Sequence, residues 1–310
     1  MISFECDYNN GMLPEILQRL TETNNDLCSG YGSDPYCEAA KQKIREAIEM
    51  PEADIFFLVG GTQTNTTVID SMLQGCEGVI CAESGHIFVH ESGAVEAFGH
   101  KVLTLPSTDS KITAEAIDQY MTNFHADGTY PHMVQPGMVY ISFPTELGML
   151  YTRQELCDIY AVCQKHELKL FVDGARLGYG LMSDDCDIDL PFLARHCDVF
   201  YIGGTKVGAM FGEAVVFGQS RAPRYMFTNV KRHGALLAKG RMLGLQFDTL
   251  FTNDLYLRVS RHAIDMAKQL RSIFVNNGFK MGVDSPTNQQ FVILTMKQIG
   301  ELQKQVSFDL

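Results

Sequence analysis

The chain has 310 residues, 45% of them hydrophobic, with 25 basic against 37 acidic side chains and a formal charge of −12. That is ample apolar material for a packed core, and the acidic balance without any Lys/Arg run argues against nucleic acid or an anionic membrane as partner. Nine scattered cysteines form no CxxC and no Cys/His metal spacing, which reads as reduced thiols, a cytoplasmic chain and no metal site. No apolar stretch approaches the roughly 20 residues of a membrane span. Met1–Glu5 carries neither the charged nor the apolar region of a signal peptide.

Residues 1–35 read as an irregular arm with a short helix ending near Thr23 and a Gly-rich turn, CSGYGSDPY. A helix from about Pro35 to Met50 follows, its apolar stripe made by Ala39, Ile44, Ala47 and Ile48. Ile55–Val59 is a continuous apolar run of the kind shown by parallel strands buried on both faces. It leads into Gly60-Gly61-Thr62-Gln63-Thr64-Asn65 and a helix to about Leu73. Strand patterns recur at 79–82, 101–105, 138–143, 169–172, 199–202 and 214–217. Helical patterns fall between most of them, at 86–98, 113–124, 152–166 and 189–195.

This alternation predicts an α/β fold, a large domain whose mainly parallel sheet is sandwiched by helices. Beyond Phe217 the pattern changes to two long helices, at 234–252 and 253–277. Strand signals at Phe279 and 290–294 and a helix from about Lys297 suggest a smaller α+β C-terminal domain. The expected organisation is an arm over 1–35, a large domain over 36–240 and a small domain over 241–310. The break falls near 230–255, and the small domain reads as unfinished at Leu310.

The stretch from Leu168 to Gly212 carries the chemistry. LKLFVDGARLGYG and DVFYIGGTKVGAMFG each run from an apolar strand into a polar cluster, one holding Asp173 and Arg176, the other Lys206. Ligands of open α/β sheets sit beyond the carboxyl ends of the strands, so an acid and an amine delivered there can share one crevice. The chemistry that wants such a pair is pyridoxal 5'-phosphate (PLP) catalysis. A lysine forms a Schiff base with the cofactor aldehyde, and an acid keeps the pyridine nitrogen protonated. Each pKa unit by which Asp173 raises that nitrogen corresponds to about 1.4 kcal/mol. Lys206 needs a depressed pKa or a cationic neighbour, because only the neutral amine attacks. Taken singly, Asp173 reads as a helix cap and Lys206 as a solvated loop lysine.

Further candidates stand at other strand ends. Gly60–Gln63 offers backbone N–H groups and a helix dipole as a phosphate seat, or else is a plain glycine turn with Thr62 as N-cap. The absence of GxGxxG and of GxxxxGK[ST] leaves a nucleotide-binding oxidoreductase without a fingerprint. His86 is placed to stack on a planar ring or to serve as a structural group, and His90 one turn on lacks a third ligand for a metal. Arg176 can reach the cofactor's phenolic oxygen or the substrate, or form a surface salt bridge. Arg232 and Lys239 are candidates for a second cation on a phosphate, or solvated charges. Glu146 reads as a general base, a substrate-positioning acid or a turn carboxylate.

As an ordered set, GGTQTN, GHIFVHESGA, SFPTELG, FVDGARL and YIGGTKVGAMFGEA resemble the low-specificity threonine aldolases of the aromatic-amino-acid β-eliminating lyase superfamily, PLP enzymes of fold type I. FECDYNNGMLPEIL and GYGSDPY match the arm of one branch, and the likeness runs from about residue 3 to the end. It implies Lys206 as the Schiff-base lysine, Asp173 as the pyridinium partner, Arg176 on the cofactor O3′ and His86 stacked on the ring. Gly61 and Thr62 would bind the phosphate, which Lys239 or Arg232 would reach from a neighbouring subunit. A homodimer or homotetramer with interface active sites is implied as well.

Three positions depart from the family pattern. Cys6 stands where the family has a serine touching the substrate carboxylate, and Glu146 where better-known members have a second active-site histidine. The chain also ends ahead of the late strand whose arginine grips that carboxylate, so either the sequence is truncated or another group acts there. The implied reaction is retro-aldol cleavage of a small amino-acid substrate, threonine or allo-threonine, to glycine and an aldehyde. His86, Glu146 or a water would take the β-hydroxyl proton. The rivals are β-elimination on another amino acid, giving pyruvate and ammonia, and a catalytically impaired paralogue serving as a binding or assembly subunit.

Overall fold

After the two-residue strand β1 (Ile2–Ser3) and helices α1 (Pro14–Glu22) and α2 (Pro35–Ala47), the apolar runs pair into one sheet in the computed structural model, which describes residues 2–219 and 221–310. Its strands are β2 (Asp54–Leu58), β3 (Glu77–Ala82), β4 (Val102–Leu105), β5 (Gln135–Ser142), β6 (Lys169–Asp173), β7 (Val199–Gly203) and β8 (Glu213–Phe217). The spatial order is β2-β8-β7-β6-β5-β3-β4, and only β8 runs antiparallel to its neighbours. The strands are apolar without alternation because both faces are covered. Ile80, Val139, Ile141, Leu170, Val172 and Phe200 enter one core, while Val79, Cys81, Tyr140, Phe171, Tyr201 and Val215 enter the other.

The covering helices are α3 (Gly61–Met72), α4 (His86–Val89), α5 (Ala114–Ala126), α6 (Arg153–Lys165), α7 (Leu177–Leu181) and α8 (Leu190–Arg195). Several begin on side-chain caps that satisfy otherwise orphaned N–H groups. Asp34 caps α2, Thr113 caps α5 and Asp189 caps α8, while Thr152 and Glu155 close a capping box on α6. The rest of the chain supplies α9 (Met226–Arg232), α10 (Arg241–Leu250), α11 (Leu255–Asn276), β9 (Lys280–Met281), β10 (Val292–Ile293), α12 (Met296–Leu302) and β11 (Val306–Ser307). β9 and β10 pair antiparallel, and β11 pairs parallel with β1.

Two predicted helices are corrected. The pattern at 86–98 is helical only over α4 and one 3-10 turn, because Ser92 and Gly93 both take positive φ and break it. The helix expected over 234–252 starts only at Arg241. Gly234 takes a φ of +68°, and the following segment runs out to meet the arm, where the Tyr31 N–H donates to the Ala238 carbonyl. α10 then packs along α2 and α1, burying Leu243, Leu245, Phe247 and Leu250.

Candidate active site

Parallel pairing delivers the ends of β3, β5, β6 and β7 to one edge of the sheet, so the residues just beyond them become neighbours. β6 ends in Asp173, which stands beside Ser142 of β5. Its backbone is followed at once by a tight crossing: a Cβ on Gly174 would lie 1.9 Å from the Tyr201 carbonyl oxygen, so only glycine fits.

Asp173 is buried and takes hydrogen bonds on both carboxyl oxygens. Oδ1 accepts from the Tyr201 hydroxyl at 2.5 Å and the Ala175 N–H at 2.9 Å. Oδ2 accepts from the Tyr140 hydroxyl at 2.5 Å and the Asn65 amide at 3.1 Å. Both tyrosines come from strands flanking β6 and belong to the core face that includes Phe171. Four donors hold this carboxyl group in place at the strand end, where a carboxylate is the partner a protonated pyridine needs.

Asn65 extends the network. Its amide also donates to Glu91 Oε1 at 2.7 Å, and that oxygen takes the Nδ1–H of His86 at 2.7 Å. The Glu91 bond, ahead of an opposing burial effect, raises the His86 pKa above its usual value. It also fixes the proton on Nδ1 and leaves Nε2 as the basic nitrogen. Glu146 joins from the β5 end: its Oε1 accepts the His86 backbone N–H at 2.9 Å and the Ser142 hydroxyl at 2.8 Å. Burial pushes the Glu146 carboxyl up from its ordinary value.

Lys206 follows β7 in a loop pinned from β8, where Glu213 accepts from the Gly204 N–H and the Thr205 hydroxyl. Burial pushes Glu213 itself up to about 8. Among the described residues the Lys206 amine has no hydrogen-bond or ion-pair partner, only the Tyr8 ring 5.9 Å away. Burial first, and the Arg176 guanidinium second, lower its pKa, the direction a nucleophilic amine requires.

Arg176 is gripped by the arm. Its Nε and Nη2 donate to Asp7 at 2.7 and 3.1 Å, and the Asn288 amide adds a third donor to that carboxylate at 3.0 Å. Burial alone would raise the Asp7 carboxyl, but Arg176, Lys206 and Asn288 together outweigh it and the pKa falls below its ordinary value.

α3 begins with Gly61 and Thr62, and it lacks a side-chain N-cap. Its first return bond is the Thr64 N–H to the Gly60 carbonyl, so the N–H groups before it are free for an anion. A Cβ on Gly61 would stand 3.3 Å from the Tyr201 hydroxyl, which puts this seat directly over the Asp173 donors. Thr64 Oγ1 and Asn65 Oδ1 are buried nearby without partners. An unpaired amine, a fully accepting carboxylate and an uncapped helix start fit the three functional ends of PLP.

Arg232 and Lys239 are not brought to this cluster within the chain. Arg232 pairs with Asp70, nine residues or roughly 13 Å along α3 from Gly61. Lys239 is exposed in the loop before α10. Asn65, Glu91, Tyr140, Tyr201 and Asp7 were not anticipated, although all but Tyr140 lie inside the motifs GGTQTN, GHIFVHESGA, YIGGTKVGAMFGEA and FECDYNNGMLPEIL. Among the described residues no cluster of His, Cys, Asp and Glu could hold a metal, and no helix is long and apolar enough to cross a membrane.

The profile of the beta-eliminating lyase family matches residues 11–296. The chain is 32% identical over 273 residues to a low specificity L-threonine aldolase of a Pseudomonas species, covering 87% of this chain and 77% of that one. It is 30% identical over the same length to the low specificity L-threonine aldolase of Pseudomonas aeruginosa, with the same coverage. The solved threonine aldolase of Leishmania major superposes with a TM-score of 0.94 at 42% identity, over 100% of this chain and 89% of that one. Sequence and fold agree, and the chain belongs to the beta-eliminating lyase family, alongside the low-specificity threonine aldolases.

Proposed function

We propose that the protein is a PLP-dependent aldehyde-lyase that cleaves the Cα–Cβ bond of a β-hydroxy-α-amino acid, threonine or allo-threonine, into glycine and an aldehyde. The observation that carries this reading is the pair formed by Asp173, accepting on both oxygens, and the unpartnered Lys206 amine at the end of the adjacent strand. When bound, the cofactor supplies an electron sink for the charge left at Cα. Lys206 would be its covalent anchor, Asp173 its pyridinium partner, and the N–H groups of Gly61 and Thr62 its phosphate seat. His86 would serve its ring, and Arg176 an anionic oxygen of cofactor or substrate. His86 through Nε2, or Glu146 through its carboxylate, accepts the β-hydroxyl proton.

The reading extends to a cytoplasmic homodimer or homotetramer in which Arg232 or Lys239 completes the phosphate site of a neighbouring subunit. The test joins spectrum and product. Lys206→Ala purified with cofactor is expected to lack the visible absorption of the parent, and the parent is expected to turn L-threonine into equal amounts of glycine and acetaldehyde. 2-Oxobutanoate and ammonia from threonine would assign β-elimination instead, and cofactor binding without product would assign a binding or assembly role.

A further inference from the structure

A small pocket lies behind Glu146, lined among others by Ser110, Tyr140, Ser142 and Tyr151, with room for about one water molecule. Ser110 is 5% exposed, and its hydroxyl oxygen has no hydrogen-bond partner among the described residues. It is carried there by a backbone that side chains seldom adopt: Asp109 and Ser110 take φ of 53° and 61° in succession. The Tyr151 hydroxyl accepts the Ile112 N–H at 3.0 Å, which leaves its own hydrogen free to donate. Glu146 Oε1 is taken by the His86 N–H and the Ser142 hydroxyl, and the residue's own backbone N–H also donates to the carboxyl group, so among the described residues no other residue donates to Oε2.

We propose that Ser110 and Tyr151 are positioning residues for Glu146, converging with its free oxygen on this pocket to hold the carboxyl proton there, directly or through one water. The inference rests on the aldolase reading only for the use made of that proton. An oxygen already accepting from two donors has no lone pair to spare, so a protonated Glu146 carries its hydrogen on Oε2. Burial favours the protonated form. The charged and titratable groups around it are Asp173, Tyr140, Cys81 and Tyr151, with the His86 imidazole held on Glu91; the charge that acts on Glu146, Asp173, is of like sign. Tyr151 supplies a donor to the ionised form, so the contribution of Ser110 is an acceptor for the acid's hydrogen. In the held state the proton stays bonded to Oε2 and is only hydrogen-bonded to Ser110 Oγ or to the water, so no covalent bond is formed or broken.

The test uses the cofactor-free full chain and infrared difference spectroscopy across the titration, with Glu146→Gln identifying the protonated-carboxyl band. Ser110→Ala keeps a Cβ in the same left-handed conformation, while Ser110→Gly removes hydroxyl and strain together. Both are expected to shift the band to higher frequency and to lower its midpoint by about half a pH unit, the effect of one ordinary hydrogen bond. A structural role alone would move only the melting temperature, and in opposite directions for the two variants. No band lost in Glu146→Gln, or no shift in either serine variant, overturns the proposal whether or not the chain cleaves threonine. A shifted band in a chain that cleaves no β-hydroxy amino acid supports the proton site and refutes the reaction assigned to it.

Discussion

Four donors meet the Asp173 carboxylate, and their number decides what a substitution there does. Asp173→Asn turns one acceptor oxygen into a donor facing other donors, leaving buried groups unpaired at about 1–3 kcal/mol. It also deletes the charge opposite the pyridine nitrogen. The expected result is a kcat lower by about 100-fold, or two pKa units of lost ring protonation, together with a lower melting temperature in the cofactor-free chain. Glu91 has a different signature. Because His86 is raised in the folded chain, its contribution is complete below the unfolded value of about 6.5 and disappears as pH climbs through the folded one. Glu91→Gln should therefore bring the onset of that decline down toward 6.5, read from melting temperature between pH 5.5 and 9. Lys206, Asp173, His86 and Glu146 were legible because each follows a strand signal in the sequence. Tyr140, Tyr201 and Asn65 were not, since what makes them partners of Asp173 is lateral: strand order and register set those contacts, and spacing along the chain does not encode them.

Helices and strands were legible where burial alone dictates them. The non-alternating runs at 55–59 and 199–202 have the pattern of strands in a sheet covered on both sides. The errors fell where glycine in a loop outweighs an apolar pattern, at Gly93 and Gly234. α10 lies against α2, and Asn253 and Asp254 both take left-handed φ just after it. We propose that the junction between the large and small units lies at this turn, within the broad interval expected from sequence and past the limit of 240 drawn from it. The β6–β7 edge tolerates less. Gly174→Ala must push the Tyr201 carbonyl aside, which breaks the spacing that aims Tyr201 at Asp173. A loss of about 3 kcal/mol is expected from denaturant titration, with cofactor affinity falling further than that of a surface glycine variant.

The arm ties the molecule together. β1 pairs with β11 near the end of the chain, Asp7 reaches Arg176 and Asn288, and the Leu13 N–H donates to the Gly208 carbonyl just past Lys206. Asp7→Ala should free the guanidinium and loosen the strap. Faster modification of Arg176 by phenylglyoxal and faster proteolysis between residues 4 and 12 are the measurements, and unchanged rates would show that the arm is held without this ion pair. The sheet carries a consequence of its own. Edge strand β2 hydrogen-bonds only to β8 in the sheet order, with Asp54 opposite Phe217. On the ribosome, β2 must wait roughly ten to thirty seconds for its neighbour to be translated. Until then the glycine turn that follows β2 lacks the strand that joins it to the sheet. The nascent chain therefore acquires its place for the vitamin late, after most of the large unit has emerged, and a polypeptide stopped short of β8 would expose an adhesive edge.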